Sequence, residues 1–557
     1  MIKKLPFLFP LLLLANNLPS QAPETPGLLN QRLQNDLKSS INKAVVEPIK
    51  IKEKDNEIKK TNLKVPSFIL RGISLSGVSV FSKNELMKII KPFIGKRVTS
   101  KDIKYISYLI TRLYVKNGYV TSKCIIPPQK VKNGVIHLEV IENRIANVIF
   151  TGKKIYDYNT NFFMQYVSNI KGKILNINQL NNVLEVLSNL PASRIEPQIK
   201  KINDKYSVLI IKVITGDNHF SISLDNKGSK YTGIYRVHLN GTIKNIRGRS
   251  DILNILSTFT THPKYLNSIT LNYLTPYGNK GAKLNYMFSY MTYQLDPDQV
   301  GNNLVIYQGR SSDFSLSYSK PVFNLKSNIK LNYFYGFDRR EVISQTVENA
   351  TGNVLVNGKD KIFALNGGVN FLIIDNLFKY MAVNSINLRA VKALEGVFGS
   401  FTKEDLKRKE NDNTFPIEGP IRYGNGLDPS FFKIYYSLSR KQYLPKKFVL
   451  NLGISGSYTN DRVPDSYLSS GGDYSYSLSS SLSKKIYNID TSFSVSSSTV
   501  FVRETNGTTT IIHNKPGFSI SLSTTYKKFS LSASYSSSFE NWDSNHNNIK
   551  FSIKYSY

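Results

Sequence analysis

The C-terminal part of the chain, from His219 to Tyr557, contains short stretches in which every second residue is apolar. The last stretch reads Ile549-Lys-Phe-Ser-Ile-Lys-Tyr-Ser-Tyr557. A period of two places its isoleucines and aromatic residues on one face of a strand and its lysines and serines on the other. Further stretches of this kind lie at residues 284–290, 314–318, 329–337, 450–458, 489–495, 518–526 and 529–535.

Many such strands in succession, with aromatic residues near their ends, predict a transmembrane β-barrel with apolar side chains outward and a polar lumen. At roughly 20 residues per strand and connection, residues 219–557 hold about 16 antiparallel strands, and bacterial barrels have even strand numbers. The alternative is a large soluble β-sandwich or solenoid. No apolar run marks the second inward-facing sheet that such a fold needs.

The N-terminus carries an export signal. An apolar block from Leu5 to Ala15 follows Lys3 and Lys4, so residues 1–22 are predicted to form a signal peptide. No stretch reaches the roughly 18 apolar residues of a membrane helix. Export combined with closed strands predicts a location in the outer membrane, because unpaired strand edges cannot face lipid.

Residues 26–45 predict an amphipathic helix, because apolar residues recur there every four positions. That stripe consists of Leu29, Leu33, Leu37, Ile41 and Val45. Residues 46–66 are mostly charged or polar and predict a flexible linker. A tethered amphipathic helix needs a docking place, either a pore or a partner.

Residues 67–144 and 145–216 predict two compact α+β units with the same β-α-α-β-β order, which indicates a tandem repeat. In the first unit, Ser82 and Glu85 form a capping box that opens a helix, and Gly118 ends the second helix. An exposed strand edge of the second unit could accept an added strand, and the candidates are Ile195, Gln198, Ile199 and Lys200. Lys200 is equally typical of a blunted edge.

The formal net charge is +34, and the first 218 residues carry 34 Lys and Arg against 15 Asp and Glu. The signal peptide argues against a nucleic-acid partner. The six histidines lack metal-ligand spacing, and Cys124 is the single cysteine. The sequence has neither a nucleophile elbow nor a phosphate-binding loop. We therefore expect a protein that is not an enzyme and holds no cofactor or metal.

Three segments give a specific resemblance. They are Gly118-Tyr-Val-Thr-Ser-Lys with Ile126-Pro-Pro-Gln, Asn133-Gly-Val-Ile-His-Leu-Glu-Val-Ile-Glu-Asn-Arg-Ile145, and Leu224 to Arg236 with Tyr273-Leu-Thr-Pro-Tyr-Gly278. They resemble two-partner secretion transporters, the outer-membrane exporters of haemolysins and filamentous haemagglutinin-like adhesins. The resemblance implies a plug helix at residues 26–45, two periplasmic polypeptide-transport-associated (POTRA) domains and a 16-stranded barrel. It also implies a secreted exoprotein as cargo and outer-membrane lipid around the barrel.

Two rival functions remain open from the sequence. A related assembly factor that inserts other barrels shares this architecture, although such factors usually carry more POTRA units and no plug helix. A diffusion porin would not need the soluble N-terminal part. The family resemblance also implies recognition by the barrel assembly machinery through a terminal aromatic strand, here Tyr555 and Tyr557.

One expected motif departs from the family pattern. The resemblance implies a loop folded into the lumen, with an arginine at its tip that pairs with an aspartate on the barrel wall. Here the lead-in pair is Gly471 and Gly472, Ser477 stands in place of the arginine, and Arg503 stands in place of the aspartate. We expect this loop, residues 461–483, to be held by hydrogen bonds or by another acid such as Asp473 or Glu504.

Overall fold

The structure is a computed structural model that describes residues 67–152, 159–301, 303–323, 328–405, 417–421, 427–467, 474–486, 490–506, 509–526, 528–538 and 546–556. The predicted signal peptide, amphipathic helix and linker lie outside these residues. No helix among the described residues is long and apolar enough to cross a membrane.

The first N-terminal unit packs two helices against a three-stranded sheet of order β2-β5-β4. Its elements are β1 (Ser67–Ile69), β2 (Gly72–Ser76), α1 (Lys83–Ile90), β3 (Arg97–Thr99), α2 (Ser100–Lys116), β4 (Lys123–Ile125) and β5 (Val135–Ile141). The predicted capping box is confirmed, since Ser82 and Glu85 exchange hydrogen bonds at the start of α1. Ile106, Ile110 and Tyr114 of α2 are fully buried against the sheet, so α2 supplies the centre of this core.

The second unit has the β-α-α-β-β order that the sequence predicted for both units, whereas the first unit also contains the short strands β1 and β3. The second unit consists of β6 (Arg144–Gly152), α3 (Thr160–Val167), α4 (Ile177–Ser188), β7 (Ser193–Lys201) and β8 (Tyr206–Thr215). The sheet order is β6-β8-β7, with β6 parallel and β7 antiparallel to the central strand. Phe163 of α3 and Leu187 of α4 are fully buried against this sheet.

The C-terminal part is a closed barrel. Its strands are β9 (His219–Asp225), β10 (Arg236–Lys244), β11 (Ile252–Thr260), β12 (Leu266–Tyr277), β13 (Ala282–Gln294), β14 (Val305–Val322), β15 (Ile329–Glu348), β16 (Val354–Asp375), β17 (Ala382–Ala393), β18 (Ile417–Gly419), β19 (Phe432–Tyr443), β20 (Phe448–Tyr458), β21 (Tyr474–Ile486), β22 (Asp490–Asn506), β23 (Thr509–Tyr526), β24 (Phe529–Ser538) and β25 (His546–Ser556). A short helix, α5 (Pro297–Val300), precedes β14.

Sixteen of these strands form the antiparallel wall, which confirms the predicted number. Among the described residues, the short strand β18 pairs in parallel with β16, while β17 pairs directly with β19. Apolar and polar side chains alternate across the wall. Phe314 and Phe432 are 41% and 45% exposed on the outer face, whereas their neighbours Asp313 and Lys433 are buried on the inner face. The lumen is therefore lined by polar and charged groups, as expected.

The barrel closes through a short seam between β9 and β25. The ladder joins residues 221–225 to residues 552–556, five residue pairs in all. Beyond it, the side chain of Asn226 continues the pairing: its Nδ2 donates to the carbonyl of Ile549 at 2.7 Å, and its Oδ1 accepts the amide of Phe551 at 2.7 Å. Together with the backbone amide of Asn226, which donates to the carbonyl of Phe551 at 3.3 Å, this side chain extends the seam by one residue.

Candidate functional site

The second N-terminal unit sits directly on the turns at one end of the barrel. Tyr166 donates its hydroxyl to the carbonyl of Gly278 at 2.9 Å, and the amide of Asn159 donates to the carbonyl of Gly248 at 2.8 Å. The amide of Ala192 reaches both the carbonyl and the hydroxyl of Ser250. These bonds come from two separate segments of the unit, α3 with its N-cap and the turn before β7, so they fix its position at the barrel mouth.

The two N-terminal units meet at the end of α2. The amide of Ile177 donates to the carbonyl of Gly118 at 2.8 Å, and Asn176 donates its side chain to the carbonyl of Asn117 at 3.0 Å. Gly118 has φ +89°, and a Cβ at that position would lie 2.8 Å from Nδ2 of Asn178. Only glycine fits there without strain, so the predicted left-handed helix end also allows the two units to approach closely.

The predicted strand edge is an edge in the structure. Ile195, Gln198, Ile199 and Lys200 lie in β7, which pairs with β8 alone among the described strands. Ile195 is buried in the core of the unit, whereas Gln198 and Lys200 are exposed. Pro197 lies in the middle of the strand and has no N–H to offer to an added strand. The free side of β7 is therefore open to an added strand, except that Pro197 cannot donate a hydrogen bond.

The lumen wall carries paired charges on strands that are adjacent or separated by one strand. Arg236 forms two bonds to Asp225, at 3.0 and 3.2 Å, and His238 contacts the same carboxylate at 3.1 Å. Two further arginine–aspartate pairs follow round the lumen: Arg340 with Asp313, and Arg389 with Asp338. A pore with such a wall is suited to polar chains and not to lipid.

A loop between β20 and β21 enters this lumen. Its residues Asp465–Tyr467 form one 3₁₀ turn, and all three are buried. The guanidinium of Arg340 donates to the carbonyl of Ser466, and Lys433 donates to the carbonyl of Tyr467 at 2.7 Å. The described part of the loop is therefore bonded to charged groups of the wall, which agrees with the expectation that hydrogen bonds hold this loop.

The predicted position of the tip of that loop, at Ser477, is wrong. Ser477 lies within the barrel strand β21, where it pairs with Ser455 and Val500, and its hydroxyl lies 2.8 Å from that of Ser455. The cause is visible in the sequence, because Tyr474, Tyr476 and Leu478 already alternate with serines as a strand requires. The loop therefore ends before Tyr474 and does not extend to residue 483.

The remaining predicted residues divide into two groups. Arg503 lies in β22, where the backbone register pairs it with Tyr474 and not with Ser477. Tyr555 lies in β25 opposite Phe529 and Ile222. Outside the described residues lie Gly471, Gly472, Asp473, Tyr557 and the apolar stripe Leu29, Leu33, Leu37, Ile41 and Val45.

Sequence reasoning missed the wall residues Arg340, Asp360 and Lys433. Lys433 stands between the apolar residues Phe432 and Ile434, so the alternation marked it as a lumen residue, whereas Arg340 and Asp360 stand between charged residues and gave no such signal. The sequence did not show that these three wall residues contact the same loop. Within the described ranges, no group of three or more His, Cys, Asp or Glu residues is placed to hold a metal ion.

Comparison with known families gives two matches. The family of haemolysin secretion/activation proteins ShlB/FhaC/HecB matches residues 205–477, and the ShlB-type POTRA domain matches residues 68–143. The chain is 23% identical over 400 residues to the heme/hemopexin transporter protein HuxB of Haemophilus influenzae, covering 69% of this chain and 63% of that protein. It is 23% identical over 414 residues to the hemolysin transporter protein HpmB of Proteus mirabilis, covering 71% and 65%. The matched part thus spans less than two thirds of the length of these relatives.

Two solved structures share the fold. CdiB from Escherichia coli has a TM-score of 0.69 at 17% identity, covering 97% of this chain and 100% of that chain. CdiB from Acinetobacter baumannii has a TM-score of 0.60 at 18% identity, covering 95% and 98%. Both likenesses extend over the N-terminal units and the barrel, which confirms the predicted architecture.

Proposed function

Because this chain belongs to the ShlB/FhaC/HecB family of haemolysin secretion/activation proteins, we propose that it exports a large β-rich exoprotein by two-partner secretion. It lies in the outer membrane with its POTRA domains in the periplasm. The cargo is of the haemolysin or adhesin type and enters the barrel from the periplasm. The partners are this cargo, the barrel assembly machinery and the surrounding lipid, and the chain is a transporter without enzymatic activity or cofactor.

The observation that carries this proposal is the contact between the second POTRA domain and the barrel turns. Main-chain bonds at Gly248, Ser250 and Gly278 fix the domain at the mouth of a lumen lined by charged pairs. An unfolded chain bound at the domain is thereby placed at the entrance of a polar pore. Nucleotide is absent from the periplasm, so the direction of movement comes from folding of the cargo outside and from its differential binding.

The test is to look for a large, repeat-rich secreted protein encoded beside this chain and to follow its export. Cells that lack the chain should accumulate that protein in the periplasm, and the full chain should restore it to the medium. The amounts of other outer-membrane barrels should not change. A general loss of outer-membrane barrels would instead support an assembly factor, and export unchanged in the absence of the chain would refute the proposal.

The segment 26–45 is proposed to plug the pore. Its apolar stripe on a charged tether supports reversible occupation of the lumen. Deleting residues 26–45 should raise single-channel conductance in planar bilayers, because the lumen would then be filled only by the loop. A conductance equal to that of the full chain would leave the helix as an arm that binds a partner.

The edge strand β7 is proposed to capture the cargo by strand addition. A proline in a ladder is tolerated where its nitrogen faces the open side, and Ile199, two residues after Pro197, presents its N–H on the same side. Ile199→Pro should therefore keep the POTRA fold and weaken cargo binding, whereas Pro197→Val should strengthen it. Equal cargo binding by both variants, measured by cross-linking in the full chain, would eliminate this edge.

A further inference from the structure

The loop that enters the lumen is held at its deepest described point, Asp465–Tyr467. These three residues are 3%, 4% and 5% exposed, and their contacts come from three strands of the wall, β15, β16 and β19 with the residue before it. The hydrogen bonds between the wall side chains and Ser466 or Tyr467 involve the main-chain atoms of these two residues. The side-chain oxygens of both residues have no hydrogen-bond partner among the described residues.

Arg340 on β15 makes three different contacts with one guanidinium. Its Nε donates to Oδ1 of Asp313 at 2.9 Å, its Nη1 donates to the carbonyl of Ser466, and its planar group lies 4.9 Å from the ring centre of Tyr467. Asp313 is buried on the adjacent strand β14 and holds the guanidinium against the wall. The remaining contacts of the guanidinium are both with the loop.

Two more charged groups complete the contact. Lys433 is fully buried on β19, and its Nζ donates to the carbonyl of Tyr467 at 2.7 Å. Asp360 is fully buried on β16, and its Oδ2 accepts the amide of Ser466 at 3.2 Å. The other oxygen of Asp360 accepts the amide of Ile421 at 3.2 Å, so one carboxylate joins two loops.

Apolar contacts support the same turn. The ring of Tyr467 lies 4.8 Å from that of Phe431, and Val463 is fully buried beside Ile362 and Val391 of the wall. A buried cation bonded to a carbonyl and a buried carboxylate bonded to an amide are both costly to leave unpaired. The wall charges therefore favour the docked loop through its main-chain groups, and the turn carries one acid of its own, the buried Asp465.

We propose that Arg340, Lys433 and Asp360 form a wall clamp that positions the lumen loop through its main chain, and that the loop leaves this clamp when the pore opens to cargo. In this arrangement the cations stand on the wall and the loop contributes carbonyls and one amide. The second half of this inference rests on the proposed function. The first half concerns the position of the loop alone.

The test uses Ser466 as a reporter, because its hydroxyl is buried and has no hydrogen-bond partner within the described residues. Ser466→Cys in a Cys124→Ala background gives one thiol that a membrane-impermeant maleimide reaches from outside only when the loop is released. Adding Arg340→Gln should raise the labelling rate of whole cells about tenfold or more. Lys433→Met tests the clamp by a second route, which leaves the Arg340–Asp313 pair intact.

The matched control is Arg440→Gln. Arg440 pairs with Asp375 at 2.8 and 3.0 Å, as Arg340 pairs with Asp313, but it lies on the outer side of the wall and its hydrogen bonds go to wall residues and not to the loop. Labelling should stay within about twofold of the parent in this variant. Equal labelling in all three variants and the parent would overturn the clamp, and equally faster labelling in Arg440→Gln would show general loosening of the barrel and overturn it as well.

The second half of the inference, release of the loop when the pore opens, is tested by recording channel gating of the same variants in planar bilayers. The clamp variants should spend a larger fraction of time in the open state, and Arg440→Gln should not. Unchanged gating with fast labelling would overturn the role of the clamp in opening while leaving its positioning role in place. Neither measurement needs cargo, so failure of the export hypothesis and failure of the clamp are seen separately.

Discussion

Glu142 of the first POTRA domain provides the sharpest test of how a buried acid holds this domain together. It follows β5 and is 9% exposed. Its carboxylate accepts the amides of Ser79 and Val80 at 2.7 and 3.0 Å, the hydroxyl of Ser79, and the hydroxyl of Tyr114 at 2.7 Å. One side chain therefore joins the loop before α1, the helix α2 and the sheet.

The expected loss of stability follows from the hydrogen-bond donors that lose their acceptor. Glu142→Ala removes the acceptor from two amides and two hydroxyls, and an unsatisfied buried donor costs about 1–3 kcal/mol. Because water can reach the partly buried amides of Ser79 and Val80, we expect a loss of about 3–5 kcal/mol in total. Glu142→Gln keeps one acceptor oxygen and should lose about 1–3 kcal/mol.

The assay is hydrogen exchange with mass spectrometry on the full chain in detergent micelles. Peptides from the Ser79 loop and from α2 should exchange roughly a hundred times faster or more in Glu142→Ala, since every 1.4 kcal/mol is about tenfold. Peptides from the second POTRA domain serve as the internal reference. The matched control is Glu139→Ala, because Glu139 is partly exposed and its nearest cation, Lys205, lies 4.0 Å away. Unchanged exchange of both segments in Glu142→Ala would refute the reasoning.

The same site predicts a pH dependence. Burial alone would raise the pKa of Glu142, but the hydrogen bonds from Ser79, Tyr114 and Val80 outweigh it and lower the pKa below its ordinary value of 4.5. A depressed pKa of a carboxyl contributes stability that is complete above the unfolded-state pKa and disappears as the pH falls through the folded-state pKa. The advantage of the parent over Glu142→Gln should therefore be full near neutrality and decline below pH 4.5.

Three further outcomes are expected. Gly118→Ala should loosen the joint between the POTRA domains by about 1–3 kcal/mol because of its positive φ and the contact with Asn178; spin-label distances between the domains should broaden, and an unchanged distribution would contradict this. Burial raises the pKa of the Cys124 thiol to about 11, so iodoacetamide should leave the native chain unmodified at neutral pH and react after denaturation; modification at equal rates in both states would count against it. Deleting Tyr557 should lower the amount of heat-modifiable barrel and cause accumulation in the periplasm, whereas normal levels would argue against an assembly signal.

The sequence predicted what depends on local periodicity. The alternation in the last strand is reproduced, since Ile549 and Ile553 are 70% and 45% exposed on the lipid face of β25. Gly118 ended its helix where a left-handed residue was expected. Both features are encoded within a few neighbouring residues, so one sequence suffices to find them.

The loop contact in the lumen could not be predicted in the same way. Arg340 and Ser466 are 126 residues apart, and the wall groups reach carbonyls and an amide that every residue type presents. Main-chain partners leave no signature in the side chains of the loop. Alignment by motif instead moved the tip to Ser477, because the glycine pair before it suggested a lead-in, although the serine alternation already indicated a strand.

The seam between β9 and β25 has a mechanical consequence. The ladder between β14 and β15 joins residues 305–322 to 331–348, whereas the seam joins five pairs among the residues that the structure describes and is extended by the side-chain amide of Asn226. Tension around the circumference is carried equally by every strand-to-strand line, so a wall that is stretched from within tears where the fewest bonds share the load. In this barrel the weakest contact is the one between the first strand, β9, and the last strand, β25, and the side chain of Asn226 adds two hydrogen bonds that hold it closed.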